Sequence, residues 1–258
     1  MQTLRDAIRA GVYFERRVDK LKAAFGLGDD LPAAASLESS VESDINESMV
    51  RWFADPGLLI KPSRSKSAHW FGGSTFAMPP CKGCGHPIRE WFVLDIREID
   101  GLRERLPSWS LLPLLGCVDC MVWMGRHDYA VDGDGLDVRL LDVQLPAIKK
   151  YSKPYGTFPE IKRKYVRLEP LPPRDVAGDE ELQDEYGEVG PLVAGVPPWI
   201  AEPVAMHCPQ CEDEMTYVAA MSNVENFTPR VPINNESGYQ YHFACNRCRT
   251  LSVVAQWS

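Results

Sequence analysis

Four Cys-x-x-Cys pairs constrain this chain more than any other feature of its sequence: Cys81/Cys84, Cys117/Cys120, Cys208/Cys211 and Cys245/Cys248. They use all eight cysteines. Two thiolates three residues apart in a tight turn can reach one soft cation together, and four thiolates fill the tetrahedral shell of a zinc ion. In a secreted chain, eight cysteines would suggest disulfides instead. The N-terminus gives no sign of secretion: Arg5, Asp6, Arg9, Glu15, Arg16 and Arg17 interrupt any apolar core of a signal sequence. No stretch approaches the ~18 apolar residues of a membrane helix. A cytoplasmic, reducing setting is therefore expected, with the cysteines as metal ligands.

The pairs repeat. Cys81 to Cys208 and Cys84 to Cys211 are each 127 residues, and Cys117 to Cys245 and Cys120 to Cys248 are each 128. This spacing reads as an internal duplication with one inserted residue. Gly72-Gly73 precedes the first copy, and Gly195-Val196-Pro197-Pro198-Trp199 the second. Strand-like sequence follows the knuckles: Trp91-Phe92-Val93-Leu94 in one copy, alternating Met215, Tyr217, Ala219 and Met221 in the other. Tyr239, Tyr241 and Phe243 lead into the last knuckle, and Leu251, Val253, Ala255 and Trp257 lead out of it.

Two stretches lie outside the repeat. Leu4, Ile8, Val12, Val18, Leu21 and Phe25, then Leu37, Val41, Ile45, Met49 and Trp52, follow helical spacing and predict two N-terminal helices that cover a sheet face, a docking or dimerisation surface being the alternative. The joint between the copies is polarised. Lys149, Lys150, Lys153, Lys162, Arg163, Lys164 and Arg167 interleave with Tyr151, Tyr155, Phe158 and Tyr165, which suits single-stranded nucleic acid. An acidic stretch, including Asp179, Glu180, Glu181, Asp184 and Glu185, follows. The chain carries 28 Lys and Arg against 36 Asp and Glu, net −8, which argues against a nucleic-acid coat and for a cationic stretch facing an acidic one within the molecule.

The simplest ligand pairing stays within each copy, with Cys81, Cys84, Cys117 and Cys120 on one ion and Cys208, Cys211, Cys245 and Cys248 on the other, because the loop to close is shorter. A crossed pairing, and a redox dithiol, are the alternatives. His86 and His207 flank knuckles and could substitute as ligands, though outer contacts suit them better. Four thiolates leave no position for a catalytic water, so the two Zn²⁺ are expected to be structural. No phosphate loop, dinucleotide fingerprint, His-Glu-x-x-His or Gly-x-Ser-x-Gly motif is present in the sequence, so no enzyme is expected.

Trp70-Phe71-Gly72-Gly73, Pro79-Pro80, Pro87-Ile88 and the strand to Asp95 resemble the bacterial YwqG-like family, as do Gly195 to Ile200, Cys208-Pro209-Gln210-Cys211 and the strand to Met221. The second stretch is also similar to the C-terminal domain of programmed cell death protein two. The first copy has Ser74-Thr75 where that pattern has x-Pro, and Ala194 stands where the second copy should have its first glycine. The resemblance implies a non-catalytic binder: an immunity protein that neutralises a toxin, or a chaperone-like binder of a basic protein.

The resulting expectation is an α+β protein. Residues 1–62 form the helical segment, 63–168 the first zinc-binding β repeat, 169–189 an acidic linker and 190–258 the second repeat. Its function would be that of a cytoplasmic protein-binding module with residues 175–188 as contact. The alternative is a nucleic-acid-associated zinc ribbon using residues 149–167.

Overall fold

The structure, a computed structural model, describes residues 55–82, 85–117, 125–132, 137–144, 160–171, 190–199, 203–222, 227 and 238–257. These residues form one sheet of eleven strands. In chain order the strands are β1 Leu58–Pro62, β2 His69–Phe71, β3 Arg89–Asp95, β4 Leu111–Gly116, β5 Arg126–Val131, β6 Val138–Gln144, β7 Lys164–Pro170, β8 Leu192–Val193, β9 Thr216–Met221, β10 Gly238–Cys245 and β11 Thr250–Trp257. Across the sheet they run β4-β3-β2-β7-β1-β8-β9-β10-β11-β5-β6, and every pairing is antiparallel.

This corrects the α+β class. Helix among the described residues is confined to a 3₁₀ turn at Ile96–Glu98 and one short helix, α1, at Asp100–Arg105, both between β3 and β4. Asp95 caps the turn by accepting from the Arg97 backbone N–H at 3.1 Å. The two expected N-terminal helices lie outside the described residues. The two β units share this one sheet. β1, counted with the N-terminal segment, sits mid-sheet between β7 and β8. Glu169 and Pro170, counted with the acidic linker, end β7.

The strand order has an internal twofold about the β1–β7 pair. Outward from it lie β2, β3 and β4 on one side, and β8, β9 and β10 on the other. The registers match: Phe71 faces Phe92 as Val193 faces Ala219. The β3–β4 ladder slips at Trp91, and the β9–β10 ladder slips at Val218. The Gly72 N–H donates to Trp91 O, and the Ala194 N–H to Val218 O, both at 2.8 Å. The leading strands are exchanged: β1 pairs with β8 of the second copy, while β7 pairs with β2 of the first. β5 does not continue its own copy but pairs with β11.

All eight residues of β10 are buried, so both its faces are covered. Tyr241 and Phe243 pack against Trp199 on one face, with ring centroids 4.5 and 6.0 Å away. On the other face His242 Nε2 lies 2.9 Å from Leu115 O of β4, a strand seven places away in the sheet order. Gly116 permits the approach, since a Cβ there would lie 2.8 Å from Gln240 Oε1. β4 ends the sheet, which is why it tolerates Pro113, a residue with no N–H for a further ladder. Phe71, Phe92 and Phe227 fill the main core.

Candidate metal centre

The second copy brings Cys208, Cys211, Cys245 and Cys248 together, with all four sulfurs within 4.8 Å of one another. Cys211 Sγ and Cys245 Sγ are 3.6 Å apart. A tetrahedral ion with metal–sulfur bonds near ~2.3 Å needs sulfurs about 3.8 Å apart, so four sulfurs this close could hold a metal ion. All four of these cysteines come from the second copy. Cys208 and Cys245 are buried, while Cys211 and Cys248 are half-buried.

Local backbone builds each half. After Cys208-Pro209-Gln210-Cys211 the chain turns left-handed at Glu212, φ 63°, and the Glu212 N–H donates to Cys208 O at 2.9 Å. The Cys208 N–H donates to Asp213 O at 2.9 Å, and His207 bridges to Glu214. The other half is the β10–β11 hairpin, whose turn also goes left-handed, at Arg249, φ 49°. The Cys248 N–H donates to Cys245 Sγ at 3.4 Å. Asp213 ties the halves: Cys211 Sγ lies 3.4 Å from its Oδ2, and Arg247 Nη1 reaches that same oxygen at 3.6 Å.

The clustered thiols shift one another's protonation. Burial raises the Cys208 thiol, but the Gln210 and Cys211 backbone N–H groups and the Thr250 hydroxyl outweigh it and bring it down to about 7. The Asp213 backbone N–H draws Cys211 down, yet burial and the three neighbouring sulfurs carry it up. The hydrogen bond from Cys211 draws Cys248 down, and burial with the charges on Cys208 and Cys245 outweighs it. Four bare thiolates repel one another, whereas a divalent ion compensates them and releases their protons on binding.

The first copy contributes a matching contact. The Ser108 N–H donates to Asn246 Oδ1 at 2.8 Å, Ser108 Oγ to Asn246 O at 2.6 Å and Trp109 Nε1 to Cys245 O at 3.2 Å. Arg249 stacks on Trp109 at 4.6 Å and donates to Ser108 O. Asp213, Thr250, Ser108 and Trp109 were not singled out from sequence. The first two lie two residues beyond a knuckle cysteine, which is the signal that could have found them.

In the first copy, Cys81 and Cys117 are each 1% exposed and belong to the main core, while Cys84 and Cys120 lie outside the described residues. The backbone around Cys81 repeats that around Cys208. The Cys81 N–H donates to His86 O and the Gly85 N–H to Cys81 O, both at 2.7 Å; Gly85 has φ 80°, and Pro80 bridges to Pro87. His86 and His207 meet neighbours here through their carbonyls: His207 is exposed, and its O accepts from Arg126 Nη2 at 3.0 Å.

Three basic side chains in the described part of the basic segment are engaged within the molecule. Arg163 stacks on Trp70 at 4.6 Å, Lys164 Nζ donates to Phe227 O at 2.8 Å, and Arg167 Nη1 donates to Pro62 O at 2.7 Å. Residues 149–159 and the acidic contact at 175–188 lie outside the described residues. No helix among the described residues is long and apolar enough to cross a membrane. Comparison of the chain with protein-family models, curated proteins and solved structures finds no match.

Proposed function

We propose that this chain is a cytoplasmic, non-catalytic protein-binding module held together by two structural Zn²⁺ ions. The observation that carries the reading is the closed set of Cys208, Cys211, Cys245 and Cys248, whose four thiolates occupy every corner of a tetrahedral ion and leave none for water or substrate. The second ion would sit on Cys81, Cys84, Cys117 and Cys120. The support is the repeated turn around Cys81 and the shared burial of Cys81 and Cys117. A net charge of −8 favours a basic protein partner, a toxin or a nascent basic chain, because charge complementarity speeds capture. The internal contacts of Arg163, Lys164 and Arg167 leave less of the basic segment for nucleic acid.

The test is native mass spectrometry of the protein purified gently from its own host without added metal. Two zincs and a co-purifying basic protein are expected. One zinc would remove the first-copy site, and disulfides in place of metal would remove the reading altogether. Reversing Asp179, Glu180, Glu181, Asp184 and Glu185 to Lys should slow capture of that partner at low salt; an unchanged on-rate would discard the acidic contact.

A further inference from the structure

A cavity of about 240 Å³ lies beside the start of β3. Phe76, Met78, Ile88 and Ile161 give it apolar walls, and the exposed residues Ser74 and Glu160 mark its mouth. Glu90 also lines it, yet is only 6% exposed. Its Oε2 accepts from the Thr75 and Phe76 backbone N–H groups, both at 3.0 Å. Its Oε1 is buried and has no hydrogen-bond partner among the described residues. That oxygen is turned towards the cavity: a Cβ on Gly73, which lines the same space, would stand 3.8 Å from it.

The cradle exists in one copy only. Counting from the left-handed pairs Gly72-Gly73 and Ala194-Gly195, Thr75 and Phe76 correspond to Pro197 and Pro198, which have no N–H to give. Glu90 stands one residue before the ladder slip at Trp91, and its counterpart before the slip at Val218 is Tyr217. The acid and both its donors are thus present together in the first copy and absent together from the second. The twofold architecture does not itself require them.

A carboxylate oxygen left bare beside apolar walls is costly, and a cation brought to it offsets the cost. Burial raises the Glu90 carboxyl, against the Phe76 and Thr75 N–H groups and the Thr75 and Trp70 side chains. The neighbouring Arg163 is turned elsewhere: it stacks on Trp70 and donates to the Thr75 hydroxyl at 3.0 Å. Glu160 at the mouth adds a second negative charge, facing Arg89 on the lining. With Oε2 already taken by two N–H groups, one acceptor atom remains. That suits an ammonium, a compact point charge, better than a guanidinium, whose fork pairs with both oxygens of a carboxylate.

We propose that this cavity binds a primary aliphatic ammonium group, whose N–H donates to Glu90 Oε1 while its alkyl stem lies against Met78, Ile88 and Ile161. A free alkylamine offers that group, and so does a lysine side chain of a basic protein. The assignment does not depend on the zinc reading or on the acidic contact.

The test is calorimetric titration of the full chain at neutral pH with n-butylammonium chloride, with Nα-acetyl-lysine methylamide and with n-butanol, repeated on Glu90→Gln. Saturable binding of a cation is expected, with n-butanol at least about 10-fold weaker. Glu90→Gln keeps an oxygen for the Thr75 and Phe76 N–H groups but turns an amide NH₂ to the cavity, so the cation should lose at least about 10-fold in affinity. Tighter binding of the capped lysine than of n-butylammonium names a protein side chain as the source, and the reverse order names a free amine. No binding of either cation, equal binding of n-butanol, or an unchanged affinity in Glu90→Gln overturns the assignment and leaves the partner reading above untouched. Should Glu90→Gln not fold, nuclear Overhauser contacts in the wild type decide. Contacts from the butyl protons to the methyls of Met78, Ile88 and Ile161 support the site, and binding without them overturns it.

Discussion

Lys61 and Arg167 face each other across the β1–β7 pair, and the internal twofold makes them the same position in the two copies. Two cations set opposite each other would repel. Glu169 lies between them, with Lys61 Nζ at 3.0 Å and Arg167 Nε at 2.6 Å. Arg167 first, and then Lys61, hold its carboxyl below the usual carboxylate range. Because the leading strands cross over at this point, neither half of the chain completes its own sheet.

A break in the chain should therefore not separate the halves. With a protease site placed within residues 145–159, cleavage leaves β7 paired to β1 and β2, and β11 paired to β5. The two fragments should co-elute in gel filtration and separate only in denaturant. Fragments that elute apart under native conditions would contradict the exchange.

The exchange also gives matched glycine-type positions with opposite occupants. Gly72 has φ 65° and Ala194 has φ 58°. A side chain in that left-handed region costs roughly 1–2 kcal/mol. Ala194→Gly should relieve part of it and raise Tm by about 1–2 °C, after allowing for the flexibility glycine adds to the unfolded chain. Gly72→Ala should do the reverse and more, because its Cβ would fall 2.4 Å from Ile161 Cγ2. About 2–4 kcal/mol of destabilisation is expected from strain plus overpacking. Thermal melts of both variants check the pair, and equal shifts of the same sign would refute the argument.

The cysteine cluster of the second copy was legible because a Cys-x-x-Cys turn is local chemistry: Cys208 and Cys211 stand three residues apart in one turn whatever surrounds them. The exchange of β1 and β7 was not legible. Lys61 and Arg167 are 106 residues apart and carry no shared motif, and the connections that follow their strands differ, running from Pro62 to His69 in one copy and from Pro170 to Leu192 in the other. Local alternation also misled. Met215, Tyr217, Ala219 and Met221 suggested a strand with one wet face, yet Val218 and Ala220 between them are 0% exposed. What covers that second face comes from strands distant in sequence, which no local period records.

Loss of one ligand should uncouple the second knuckle pair. Cys245→Ser should remove one zinc per chain, counted by a colorimetric chelator after denaturation. It should lower stability by at least about 3 kcal/mol, or on the order of 10 °C in Tm, since structural zinc contributes its binding free energy to folding. Ser108 and Trp109, which hold Asn246 and Cys245, should lose protection in hydrogen exchange at the same time. An unchanged zinc count would remove Cys245 from the ligand set.

Acid should weaken the fold through His242. The ring is fully buried, with Nε2 2.9 Å from Leu115 O and Nδ1 3.2 Å from Gln240 O. Burial lowers its pKa to about 4, against the smaller upward pull of those two carbonyls. The unfolded chain has the ordinary value near ~6.5, so the unfolded state takes up the proton first. The stabilisation is fully present above about pH 6.5, falls as pH drops towards 4, and is gone below that. The full span corresponds to about 3 kcal/mol. Burial also lowers His69 and His127, so the decline in wild type has more than one source. His242→Gln keeps a donor for Leu115 O but cannot take up the proton. Urea midpoints of the two proteins between pH 7 and pH 4.5 should therefore diverge, the wild type losing stability more steeply. Parallel slopes would show that His242 titrates alike in both states.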